Sequence, residues 1–101
     1  MDERDMSEKS PCVYILASAF YGTLYIGTTS NLRNRVWQHK NDFVDGFCKK
    51  HKVHRLVWFE LHANMYQAIS REKNLKNWKR DWKISLIEQH NPHWIDLYDT
   101  L

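Results

Sequence analysis

The sequence predicts an α/β domain of the α+β kind: a small three-stranded antiparallel-type sheet flanked by helices, in the order β-β-α-β-α-α. Three observations predict it. Two short apolar runs, one opening at Cys12 and the other at Leu24, lie on either side of a turn signal, which makes an antiparallel hairpin. A third apolar run spans His54 to Leu61. The Thr28-Thr29-Ser30-Asn31 cluster and Asn64 stand before segments of helical periodicity, where an N-cap must supply acceptors for orphan N–H groups.

Taken in order, residues 1–10 (MDERDMSEKS) are polar and read as a flexible arm, and 11–101 as the folded domain. Cys12 to Ala17 is rich in β-branched and aromatic residues and reads as a buried strand. Alternation puts Tyr14 and Leu16 on one face, Val13 and Ile15 on the other. Phe20-Tyr21-Gly22-Thr23 forms the turn, and Leu24-Tyr25-Ile26-Gly27 the second strand. The first helix runs to about Asn41, with Leu32 and Val36 as its apolar stripe and Arg35 and His39 beside it. Phe43 to Lys52 reads as a basic, irregular connection before the third strand. Asn64 caps a long helix ending near Lys79 or Arg80, and a last helix spans about Trp82 to Gln89 before Pro92 stops it. The tail through Trp94, Ile95, Leu97 and Tyr98 is expected to fold back on the core.

With 101 residues there is room for one such unit, and five Trp, five Tyr and four Phe give it the bulk for a core. The net charge of +3 permits a polyanionic partner without demanding one. Two cysteines, Cys12 and Cys48, are too few for a disulfide framework. No apolar run approaches the roughly 20 residues of a membrane span, so no membrane partner is expected. The N-terminus has no apolar signal region, and the expected compartment is a reducing cytoplasm.

Glu72 asks most insistently for chemistry. On a helical wheel Met65, Ala68, Ile69 and Leu75 share an apolar arc, and Glu72 falls inside it. A carboxylate there is costly unless a cation or hydrogen-bond donors meet it. A salt bridge to Arg35 or Arg71 would satisfy it, as would snorkelling out at the edge of the arc; so would a metal. Arg35 and His39, four apart, point the same way. Arginine offers a fork of donors to phosphate oxygens, and histidine exchanges a proton near neutral pH. The same pair is also an ordinary solvated helix face. Tyr14 and Tyr25 lie on neighbouring strands, where their phenols either converge on a site or simply pack.

Together, Val13-Tyr14 and Tyr25-Ile26-Gly27 resemble the two defining motifs of the GIY-YIG nuclease superfamily. Arg35-Val36-Trp37-Gln38-His39 matches the R-x-x-x-H that follows them, and Glu72 the later metal-binding glutamate. The likeness covers about residues 11–98 and is nearest to small stand-alone bacterial members related to the N-terminal nuclease domain of a bacterial excinuclease. One departure is Cys12, which stands where the first motif has its leading glycine. The resemblance implies a metal-dependent endonuclease acting on DNA, in repair or recombination, with Tyr14, Tyr25, Arg35, His39 and Glu72 catalytic. It implies Mg²⁺ or Mn²⁺ held by Glu72, since a single carboxylate with waters and phosphate oxygens suits Mg²⁺. Gly27, Lys49, Lys50, Lys76 and Asn91 are the expected substrate-binding positions. DNA is the expected partner; RNA and the oligomeric state are not decided by the sequence.

Other readings compete. Cys48-x-x-His51-x-x-His54 invites zinc, but the spacing is looser than a knuckle. The lysine runs are ordinary solvated faces, or tracks for phosphates. A nucleic-acid-binding module of the same fold with little activity is the alternative function. A protein-interaction domain using Trp37, Trp78 or Trp94 ranks below it.

Overall fold

The computed structural model describes residues 10–101, so all but the last residue of the expected arm lies outside the described residues. The hairpin forms as anticipated: strand β1, Cys12–Ala17, pairs antiparallel with β2, Leu24–Thr29, and the turn is closed by Gly22 N–H donating to the Ala19 carbonyl at 2.9 Å. Strand β3, Arg55–Leu61, adds antiparallel to the other side of β1, giving the order β2-β1-β3. The register shifts between Ile15 and Leu16, where β3 carries one extra residue.

Helix α1, Leu32–Lys40, opens where Asn31 accepts a hydrogen bond from the Asn34 N–H at 3.2 Å. The connection expected to be irregular contains a five-residue helix, α2, Phe47–His51, entered through Gly46 at φ 105 and closed by Lys52 in the left-handed region. One buried residue, Cys48, anchors this turn, which is too short to show periodicity in sequence. Helix α3, Met65–Asn77, begins at the Asn64 cap and stops earlier than expected, because Trp78 and Lys79 turn extended. Helix α4, Arg80–His90, then starts two residues sooner than the sequence pattern implies. A short 3₁₀ turn, Tyr98–Thr100, follows the tail.

All six residues of β1 are buried, because both faces of the sheet are covered. On the Val13/Ile15 face, Ile26, Trp58, Leu75 of α3, Ile87 of α4 and Trp94 complete an apolar layer. On the Tyr14/Leu16 face, Val36 of α1, Cys48 of α2, Val53 and Leu56 form a second. The tail does fold back, with one exception: Leu97 and Tyr98 pack on the second layer and Trp94 is wholly buried, but Ile95 faces solvent. Trp94 is therefore core, not a docking residue. Among the described residues no helix is long and apolar enough to cross a membrane.

Candidate active site

The pleat explains why two tyrosines meet. Tyr14 stands opposite Gly27 and Leu16 opposite Tyr25, so Tyr14 and Tyr25 are diagonal neighbours on one face, with ring centroids 6.3 Å apart. Gly27 makes the arrangement possible. A Cβ at Gly27 would lie 2.7 Å from Tyr14 Oη and 3.0 Å from Tyr25 Cε2, so any side chain would displace both phenols. Gly27 thus acts here as a spacer beneath the rings.

Helix α1 lays His39 over them. His39 is only 2% exposed, and its Nε2 is 3.2 Å from Tyr14 Oη. Its ring also packs 5.6 Å from that of Tyr25. The pattern placed His39 beside the apolar stripe; seven residues after Leu32, it belongs to it. Arg35, one turn earlier, bonds Gln38 at 3.2 Å and sets its charge close to Tyr14 and His39. Burial lowers the His39 pKa to about 4, and the charges of Arg35 and His54 add to the effect. Burial, with Tyr25 beside it, raises the Tyr14 phenol well above its ordinary value, Arg35 opposing. At neutral pH the pair is therefore a phenol and a neutral imidazole.

Glu72 arrives from the other side. Helix α3 packs against β2 and β1 in the Val13/Ile15 layer. The carboxylate is largely shielded and meets Lys76 at 2.8 Å, not Arg35 or Arg71; Arg71 instead donates to Glu60 at 3.0 Å. A groove of about 330 Å³ connects the two faces around the β2 edge, lined by Leu24, Tyr25, Ile26, Phe47, Lys76 and Lys83. The structure thus brings Tyr14, Tyr25, Arg35 and His39 together. Glu72 sits one helical turn from Lys76 of the shared groove, and among the described residues no hydrogen bond joins it to the other four.

The remaining expected positions scatter. Lys49 and Lys50 are exposed on α2 around an open hollow, with Asp45 3.5 Å from Lys49. Asn91 is buried at the β3 edge, across the sheet from Tyr25. Its amide is spent on the Val57 carbonyl at 3.1 Å and on both backbone groups of Ile95. That is the work of a tail clamp rather than of the edge of a tyrosine site. Sequence reasoning missed Phe47, whose ring lies near parallel to Tyr25 at 6.4 Å. Its only signal is the i, i+4 pairing with His51 after Gly46.

Residues 10–85 match the model of the GIY-YIG catalytic domain. The chain belongs to the GIY-YIG family. It is similar to a UPF0213 protein of Clostridium perfringens, 35% identical over 64% of this chain and 70% of that one. It is also similar to a UPF0213 protein of Pediococcus pentosaceus, 34% identical over 76% of this chain and 80% of the relative. No solved structure matches. Membership of this nuclease family makes nucleic acid the substrate class.

For a divalent ion, the donor chemistry fits. Glu72 supplies hard carboxylate oxygens, which Mg²⁺ or Mn²⁺ accepts with waters and phosphate oxygens completing the shell. Among the described residues no three His, Cys, Asp or Glu side chains gather as a ready cage. Zinc gains nothing from the Cys48, His51, His54 spacing. Cys48 is buried, His51 lies against Phe47, and His54 bonds Asp42 at 2.8 Å.

Proposed function

We propose that this chain is a metal-dependent endonuclease that hydrolyses phosphodiester bonds of DNA in the cytoplasm, in repair or recombination. The observation that carries the reading is the buried Tyr14–His39 contact with Tyr25 packed on both rings, inside the stretch that matches the family's catalytic domain. A bound divalent ion on Glu72 would polarise the scissile phosphate and stabilise the leaving oxygen. The chain's own groups do the rest. Tyr14 Oη takes a proton from the attacking water as its own proton passes to His39 Nε2. His39 enters neutral, and negative charge gathering on the phosphate favours the imidazolium that results. Arg35 and the Tyr25 hydroxyl steady the phosphate oxygens. Lys76, Lys49 and Lys50 meet flanking phosphates.

The Glu72–Lys76 ion pair favours a second reading, a nucleic-acid-binding module with little activity, because it leaves the carboxylate neutralised. Incubation with linear, nicked and branched DNA, and with RNA, in Mg²⁺ or Mn²⁺ separates the two. The expected result is cleavage by the wild type that Glu72→Gln abolishes. Binding without cleavage would support the module, and equal cleavage by both proteins would remove Glu72 from the mechanism.

A further inference from the structure

We propose that Phe47, backed by His51, is a ledge on which one unstacked nucleobase of the substrate strand rests beside Tyr25. The proposal rests on the nuclease reading and adds a binding subsite to it. Phe47 is a large apolar side chain left 47% exposed, although the helix carrying it is fixed. Cys48 anchors α2 in the core, and the Val53 N–H donates to the Cys48 carbonyl at 2.9 Å. The ring is therefore held out rather than loose. His51 lies 4.5 Å from it, and Tyr25 is near parallel at 6.4 Å, too distant to cover its face. The series Tyr14, His39, Tyr25, Phe47, His51 runs unbroken from the buried proton pair to the surface.

The walls of the groove define the occupant. Its floor is apolar, from Leu24, Tyr25, Ile26 and Phe47, while Lys76 and Lys83 supply cations from α3 and α4. A flat π-face bordered by anionic groups is what complements that lining, and a nucleotide has both. Stacking on an aromatic side chain is tolerant of base identity, so the ledge selects an available face rather than a sequence. A base held in a duplex has both faces covered, and only one turned out of the stack can use it.

The test uses the full chain carrying Glu72→Gln, to prevent cutting, and a single-stranded oligodeoxynucleotide carrying 2-aminopurine. Stacking on Phe47 quenches the probe, and scanning its position finds one site of strongest quench. Adding Phe47→Ala is expected to weaken binding about tenfold, within the range of one stacked base, and to remove the quench. Phe47→Tyr restores both, which separates a lost ring from a lost fold. An abasic residue at the quenched position weakens binding by a similar factor, and the two losses do not add. In the cleavage-competent chain, Phe47→Ala raises KM about tenfold more than it lowers kcat. Tight binding by Phe47→Ala, or additive losses, would overturn the ledge and leave cleavage untouched. Quenching by Glu72→Gln while the wild type cuts no DNA in Mg²⁺ or Mn²⁺ would keep the ledge and sink the nuclease reading instead.

Discussion

The two faces of β1 receive alternate residues of one six-residue strand, yet they are built to different rules. On the Val13/Ile15 face Leu75, Ile87 and Trp94 close an apolar layer with no exposure at all. On the Tyr14/Leu16 face the layer contains an imidazole. Nε2 of that ring meets Tyr14 Oη, while the buried Nδ1 has no partner among the described residues in either tautomer. An unsatisfied buried donor or acceptor costs about 1–3 kcal/mol. Both layers bury apolar side chains completely, and the α1 face in addition carries a polar pair that packing alone would not choose.

That division can be broken from either side. The largest effect is expected from Tyr14→Phe, which deletes one oxygen on the polar face. DNA cleavage should fall by about 10²–10⁴-fold, the usual weight of a proton-transfer group, while stability falls by only about 1–3 kcal/mol as His39 Nε2 loses its partner. Retained cleavage would move the proton path elsewhere. Ile15→Ala, one residue along and on the opposite face, should do the reverse. It should cost about 2–5 kcal/mol in urea unfolding while the surviving folded fraction cuts DNA normally. Gly27→Ala couples the two, because its methyl meets the Tyr14 phenol. A loss of about 1–3 kcal/mol is expected, together with loss of cleavage, and a neutral result would mean the ring can move aside.

The smallest effect per step is electrostatic. The folded pKa of His39 lies near 4, below the 6.5 of a free histidine, so the unfolded chain takes the proton first. The stability this confers is complete above pH 6.5. It is lost as pH falls toward 4, by roughly 1.4 kcal/mol per pH unit. Unfolding at pH 7, 6 and 5 should trace that slope, and His39→Gln should flatten it. A slope unchanged in the variant would assign the titration to another group.

What is legible in the sequence is whatever is local. The Asn31 and Asn64 caps, the hairpin and the alternation of Tyr14 with Val13 follow from side-chain chemistry within a few residues. The end of α3 is not legible, because Asn77, Trp78, Lys79 and Arg80 include no Gly or Pro. The break comes from tertiary packing, in which Trp78 lies under Arg71 and against Trp82. Helix α2 is hidden for a different reason: five residues carry no period. In the site, alternation on paired strands puts Tyr14 and Tyr25 on one face, while only the resemblance to the GIY-YIG motifs joins Arg35 and His39 to them, since nothing local tells that pair from a solvated helix face. Glu72 stands out by its awkward place on an apolar arc, but its partner is neither of the arginines that the wheel suggests. The wheel says that a carboxylate needs company, not that Lys76, one turn on, can swing back to supply it. Asn91 has no local signature that distinguishes a clamp from a ligand.

The tail that Asn91 clamps has a consequence beyond the core. The Leu97 N–H donates to the Leu56 carbonyl at 2.8 Å, the Leu56 N–H is taken by Asp96, and Asn91 holds the Val57 carbonyl. These bonds occupy the outer rim of β3, the kind of free border along which sheets of separate molecules join end on end. The tail from Asn91 onward therefore acts as a guard against polymerisation. Asp96→Ala, which uncovers the Leu56 N–H while leaving Trp94 in the core, would betray itself first in the centrifuge, as material that pellets, and only later in the nuclease assay.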